Sequence, residues 1–140
     1  MKAFPSTDGT RHLLRLDRGE EVLGSLADFA VQERLPGATL SGVGAVEQTE
    51  LGYFDLRRRE YVRRVFADEM ELLSLSGNIA WWSGEPVVHA HVLLGGADYA
   101  AVGGHLFRAT IAVTGEILVA VLDTPLERAL DERTGLKLLR

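Results

Sequence analysis

Val87-Val88-His89-Ala90-His91-Val92 is followed, after a Gly95-Gly96-Ala97-Asp98 turn region, by Gly103-Gly104-His105-Leu106. The first run has the β-branched, apolar composition of a strand, and side chains on a strand repeat every second residue. His89 and His91 therefore point to the same face, about 6.5 to 7 Å apart along it. A third imidazole from a neighbouring strand would give three nitrogens converging on one ion and leave an open coordination position. Three of the chain's four histidines lie in this one segment. The competing reading is three separate structural histidines, because histidine tolerates half-buried strand positions.

Outward from this segment, most of the chain reads as strand. Arg11 to Leu16 is a first strand closed by Asp17-Arg18-Gly19. Glu20 and Glu21 then place negative charge at the start of a helix whose apolar residues, Val22, Leu23, Leu26, Phe29, Ala30 and Leu35, recur at helical spacing until Pro36-Gly37 stops it. Ala38 to Val46 is a buried strand in which Gly42 and Gly44 mark a bulge or a close backbone approach, and it continues across a bend into Thr49 to Asp55. Tyr61 to Phe66 and Met70 to Trp82 have strand composition, Ser83-Gly84-Glu85-Pro86 is a turn signal, and Val87 to Leu94, Tyr99 to Phe107 and Thr110 to Leu122 complete the set. Pro125 to Leu139 reads as a short amphipathic helix through Leu126, Ala129 and Leu130. The expected fold is α+β: a mostly antiparallel sheet with one long helix, in a single domain over 1–140 with its core at about 11–122 and a short tail at 123–140.

Composition narrows the function classes. A chain of 140 residues with 46% hydrophobic and 25% charged residues is an ordinary globular domain. It has no cysteine, which excludes disulfides, thiolate metal sites and cysteine nucleophiles. No run approaches the roughly 18 apolar residues of a membrane span, and the N-terminus lacks a signal-peptide pattern, so a cytoplasmic protein without membrane contact is expected. A net charge of −5 disfavours DNA, whose electrostatic affinity comes from Lys and Arg displacing counterions. Duplex binding no tighter than roughly 10⁻⁴ to 10⁻⁶ M follows. The one basic cluster, Arg57-Arg58-Arg59 with Arg63-Arg64, fits a solvated hairpin tip and edge strand better than a DNA grip.

No nucleophile elbow, phosphate loop or dinucleotide fingerprint is present. Glu116, a carboxylate inside an apolar strand, faces either a cation, metal or subunit boundary, or simply solvent. Asn78 is either a turn former or a pocket residue, and Gly103 and Gly104 are pocket candidates that also suit a turn or close packing.

Taken together, Gly19-Glu20-Glu21 with its helix, Leu40-Ser41-Gly42-Val43-Gly44-Ala45-Val46, Leu51-Gly52-Tyr53-Phe54-Asp55, Glu71 to Ile79, His89-Ala90-His91 and Gly103-Gly104-His105-Leu106 resemble the plants and prokaryotes conserved (PPC) domain, formerly a domain of unknown function. The resemblance implies a curved antiparallel sheet with a helix against it, assembled as a homotrimer, with a metal site near the subunit boundary at His89, His91 and His105. Plant members carry AT hooks. None exists in this sequence, so the DNA-associated regulatory or architectural role of those members is the alternative reading. The leading expectation is a stand-alone protein that binds a divalent metal, zinc first, and a small-molecule ligand. Three imidazoles suit copper, iron and nickel as well as zinc. Whether it is an enzyme stays open: beyond the metal site there is no catalytic motif, and metal-dependent hydrolase or lyase chemistry would use Glu116 as its base.

Overall fold

In the computed structural model, which describes residues 1–140, the chain runs β1 (Lys2–Pro5), β2 (Arg11–Asp17), α1 (Val22–Gln32), β3 (Ala38–Asp55), β4 (Glu60–Phe66), β5 (Met70–Trp82), β6 (Glu85–Gly95), β7 (Ala101–Val121), β8 (Arg128–Leu130) and β9 (Lys137–Leu139). The first seven of these strands to β7 form an antiparallel sheet in the order β1-β2-β7-β6-β5-β3-β4. An extra β3–β7 pairing closes β3, β5, β6 and β7 into a circuit. Closure protects edges that an open sheet would expose.

Two long strands make closure feasible by changing partners along their length. β7 lies between β6 and β3 at its start and between β2 and β3 at its end. The runs Tyr99 to Phe107 and Thr110 to Leu122, which read as two strands, are thus one strand, with shifts in register against β3 near Glu47 and Glu50. β3 likewise passes from β5 to β4. The glycines of its first half serve both expected purposes: register against β5 shifts between Gly42 and Gly44, and a Cβ on Gly44 would lie 2.3 Å from the Thr114 carbonyl oxygen.

α1 covers the core with Val22, Leu26, Phe29 and Ala30, all buried, against strand residues including Leu14, Leu16, Ile111 and Ile117. It begins directly after the acidic pair, so neither glutamate lies in the first turn. Glu21 is the N-cap, and its carboxylate accepts from the backbone N–H groups of Leu23 and Gly24 and, across to β7, of Ala109. Glu20 instead accepts from the Asp17 N–H and the chain's amino terminus. Replacing Glu21 with alanine leaves three N–H groups without this acceptor, and urea denaturation should read a loss of about 1 to 2 kcal/mol.

The tail departs from expectation. Leu126, Ala129 and Leu130 have helical spacing, yet the segment forms the two-stranded β8–β9 hairpin. Its turn is fixed by the Asp131 carboxylate, which accepts from the N–H and hydroxyl of Thr134, and by Gly135 at φ 76°. Two three-residue strands are too short to announce themselves by alternation. The hairpin docks on the end of β5, where the Trp81 N–H donates to the Leu126 carbonyl, the Trp81 indole donates to the Leu35 carbonyl, and the Lys137 ammonium sits 5.1 Å from the Trp82 ring. The tail therefore packs over the end of β5 that carries the two tryptophans.

Candidate metal centre

The strand reading of the histidine segment predicts same-face neighbours, and the structure places them so. His89 and His91 stand on β6 with Ala90 buried between them, opposite Asn78 and Ser76 of β5. His105 is the direct cross-strand partner of His91 on β7. The ligand-capable ring nitrogens of the three all lie within 4.8 Å of one another, and the Nε2 atoms of His89 and His91 are 3.3 Å apart. Two ligands about 2.0 to 2.1 Å from one tetrahedral ion are about 3.3 to 3.4 Å from each other, so this pair already has the spacing of one tetrahedral edge.

The surroundings favour neutral, ligand-competent imidazoles. Burial lowers the pKa of His105 to about 4, helped by His89 and His91, and burial lowers that of His89, helped by Arg128. Nδ1 of His105 is buried without a hydrogen-bond partner, an unmet polar atom that the donor set of a metal site would explain. His91 is exposed and opens the cluster to solvent.

Aromatic packing holds His105 in place. Its ring lies 4.9 Å from Tyr61 of β4 and 4.8 Å from Phe107, two residues along β7. Tyr61 and Phe107 meet across β3 because Gly52, paired with His105, has no side chain: a Cβ there would sit 2.4 Å from the Phe107 ring. Sequence reading missed Tyr61 and Phe107 because their meeting depends on a third strand.

Among the other sequence candidates, Asn78 lies next to the histidines as the cross-strand partner of His89, though it does not line the neighbouring cavity. Asn78 lies within β5, where its Oδ1 accepts from Nη2 of Arg128 at 2.6 Å, so it is not the turn former its neighbours suggested. Gly103 and Gly104 line none of the cavity beside the histidines. They let strands close: a Cβ on Gly103 would lie 2.8 Å from the Val92 carbonyl oxygen, and one on Gly104 3.0 Å from that of Gly52. Glu116, on the far half of β7, is exposed and borders a separate hollow with Val43, Leu73 and Val113, so one chain does not bring it to the histidines as a base. The arginine cluster occupies the β3–β4 turn and edge strand β4, and much of it is engaged. Arg58 lies near Asp55 and Glu60, Arg59 donates to the Glu132 carbonyl, and Arg63 reaches Glu50.

Residues 4–123 match the Plants and Prokaryotes Conserved domain. The chain belongs to this family. Among solved structures, a metal-containing protein from Archaeoglobus fulgidus is 37% identical over 100% of this chain and 99% of that one, with a TM-score of 0.86. A PPC protein from Pyrococcus horikoshii is 34% identical over 94% of this chain and 92% of that one, with a TM-score of 0.88. A candidate DNA-binding protein from Ralstonia eutropha is 28% identical over 99% of this chain and 95% of that one, with a TM-score of 0.89. No curated protein matches the chain in sequence. The PPC domain thus spans the helix and the whole closed sheet, including both strands that carry the histidines. No helix is long and apolar enough to cross a membrane.

Proposed function

We propose that this PPC-domain protein binds one divalent metal ion, zinc first, at His89, His91 and His105, and works as a homotrimer. The convergence of three ring nitrogens within 4.8 Å carries the reading, and the metal-containing relative at 37% identity supports it. An ion held by three imidazoles with an open position can polarise a bound oxygen and lower the pKa of a bound water. The chain's residues supply the rest of the site: strand pairing fixes the two β6 ligands, Tyr61 and Phe107 orient His105, and burial keeps His89 and His105 unprotonated at neutral pH.

Apolar surface that the fold leaves uncovered supports self-association, and the number three is what the PPC resemblance implies. Val43, Leu73 and Val113, the last 69% exposed, line one hollow, and Tyr53, Val62 and Val65 are exposed on the β3–β4 ribbon. Symmetric association is the usual cover for such surface. Protein purified without a histidine tag should carry about one metal per chain by elemental analysis. Sedimentation equilibrium should give three times the chain mass. Metal-free protein under conditions that supply zinc, or a monomer at micromolar concentration, would remove the corresponding half of the proposal.

DNA association is the second reading, favoured by the description of the Ralstonia eutropha relative. The charge of −5 and the carboxylate contacts of the arginine cluster weigh against strong binding.

The histidine environment also sets a pH dependence of stability. His105 binds a proton in the unfolded chain near pH 6.5 but in the folded chain only near 4. Between these values the unfolded state holds the extra proton, so the metal-free fold loses stability as pH falls from 6.5 towards 4 and is unaffected by this group above 7. Denaturation in the presence of chelator should show a loss of about 1 to 2 kcal/mol across this window, allowing for solvent screening of a half-buried ring. His105→Gln should reduce that dependence, leaving the part that His89, also lowered by burial, contributes with the same sign. For the same reason, proton competition for the metal at His105 sets in below the pH 6.5 of an ordinary imidazole.

A further inference from the structure

The cavity beside the histidines, about 510 Å³, holds a guanidinium, that of Arg128, which no carboxylate of the chain neutralises. Arg128 is only 8% exposed, and its two terminal nitrogens donate to the Lys137 carbonyl at 2.7 Å and to Asn78 Oδ1 at 2.6 Å. Both acceptors are neutral. Its Nε is buried without a partner, and no carboxylate lies within ion-pair distance of it. Burial lowers its pKa with no opposing anion. A buried cation is retained at a cost unless something pairs with it.

Arg63 and Lys137 border the same cavity, and no Asp or Glu does. Arg63 is stacked 3.6 Å over the Phe107 ring, and its single carboxylate contact, Glu50, is long at 3.5 Å. The rest of the lining is apolar or aromatic, with Val87, Val88, Leu136 and Tyr61 prominent, and His89 and His105 form one side. Few convergent polar groups in an otherwise apolar wall are the usual anatomy of a small-molecule site.

We propose that this cavity binds a small organic anion, its carboxylate or phosphate held by Arg128 and Arg63 beside the histidine cluster and its apolar body lying on Val88 and Leu136. The inference deepens the metal reading by naming the ligand class of that site. It rests on that reading only for the neighbouring ion, since Arg128 and Arg63 are in place with or without metal. Guanidinium groups recognise both anions through paired hydrogen bonds, and a metal with an open position would add to the attraction.

The test is a ligand-observed NMR titration of the full chain with four probes sharing one alkyl body: hexanoate, hexyl phosphate, hexan-1-ol and hexylamine. Each is run on chelator-treated and on zinc-loaded protein. Hexanoate or hexyl phosphate should bind both forms at least tenfold more tightly than the alcohol or amine, the order of one charge-assisted hydrogen bond. The tighter of the two anions identifies the headgroup. Arg63→Gln should weaken the anion about tenfold without affecting the fold, because Arg63 is exposed. Arg128→Gln should do at least as much and is read alongside its denaturation curve, because Arg128 also ties Asn78 to the tail. Equal binding of alcohol and anion, binding indifferent to Arg63→Gln, or no anion binding up to about 10 mM would overturn the proposal. Anion binding to a protein that takes up no metal would leave this proposal standing and remove the metal reading.

Discussion

Alanine in place of His89, His91 or His105 is expected to lower zinc affinity by more than about 100-fold, beyond the 10- to 100-fold that second-layer contacts typically contribute. The expectation follows from the small size of the donor set: with three imidazoles and no acidic residue lining the neighbouring cavity, nothing in the chain replaces a lost ligand. Competition against a chelator of known affinity, on protein without a tag, measures it. The fold should survive, because β6 is paired with β5 at both residues and with β7 from His91 onward, and neither histidine belongs to the hydrophobic core. His105→Ala removes packing from Tyr61 and Phe107 and should cost some stability as well. His12 is the control. It stands on β2 against the Phe29 ring, outside the cluster, so His12→Ala should leave zinc affinity unchanged. Full metal occupancy in a His89→Ala/His91→Ala double variant would show that these residues are not the ligands.

The features legible in the sequence were those decided by neighbours a few residues away. Alternation in Val87 to Val92 put two histidines on one face, the small residues around Gly42 and Gly44 signalled a bulge, and the 3.6-residue pattern before Pro36-Gly37 marked the only helix. Features decided at long range were not legible. The unity of β7 depends on exchanging β6 for β2 as a partner, which local composition around Arg108 and Ala109 does not reveal. Arg128 reads as one more charge in a polar tail until the β8–β9 hairpin folds back and presents it to Asn78, fifty residues earlier. Glu116 drew attention for the same reason in reverse. A carboxylate in an apolar run looks anomalous, but alternate residues of a half-covered strand face out, and Glu116 is one of them.

Gly77→Ala is expected to damage fold and site together. Gly77 lies opposite Ala90, between the Asn78–His89 and Ser76–His91 pairs, so β5 and β6 approach each other directly beside the two β6 histidines. A Cβ on Gly77 would sit 2.1 Å from the His89 carbonyl oxygen and 2.9 Å from the Ala90 Cα, both backbone atoms that cannot swing aside as a side-chain tip would. The strands must separate or slip. Separation lengthens ladder hydrogen bonds and opens packing over Leu75, Ile79 and Ala90, so urea denaturation should read a loss of about 3 kcal/mol, the upper part of the range for overpacking. Because the displaced carbonyl belongs to His89 itself, its imidazole moves relative to His105 on β7, and zinc affinity should fall even under conditions where the variant remains folded. Gly84→Ala, at the exposed β5–β6 turn with open space around its Cβ position, pays only for its φ of 84° and separates the two effects: it should cost stability while leaving zinc affinity near that of the unmodified protein. Equal losses of zinc affinity in the two variants would mean that metal binding merely follows global stability, and that the close approach at Gly77 does not position the ligands.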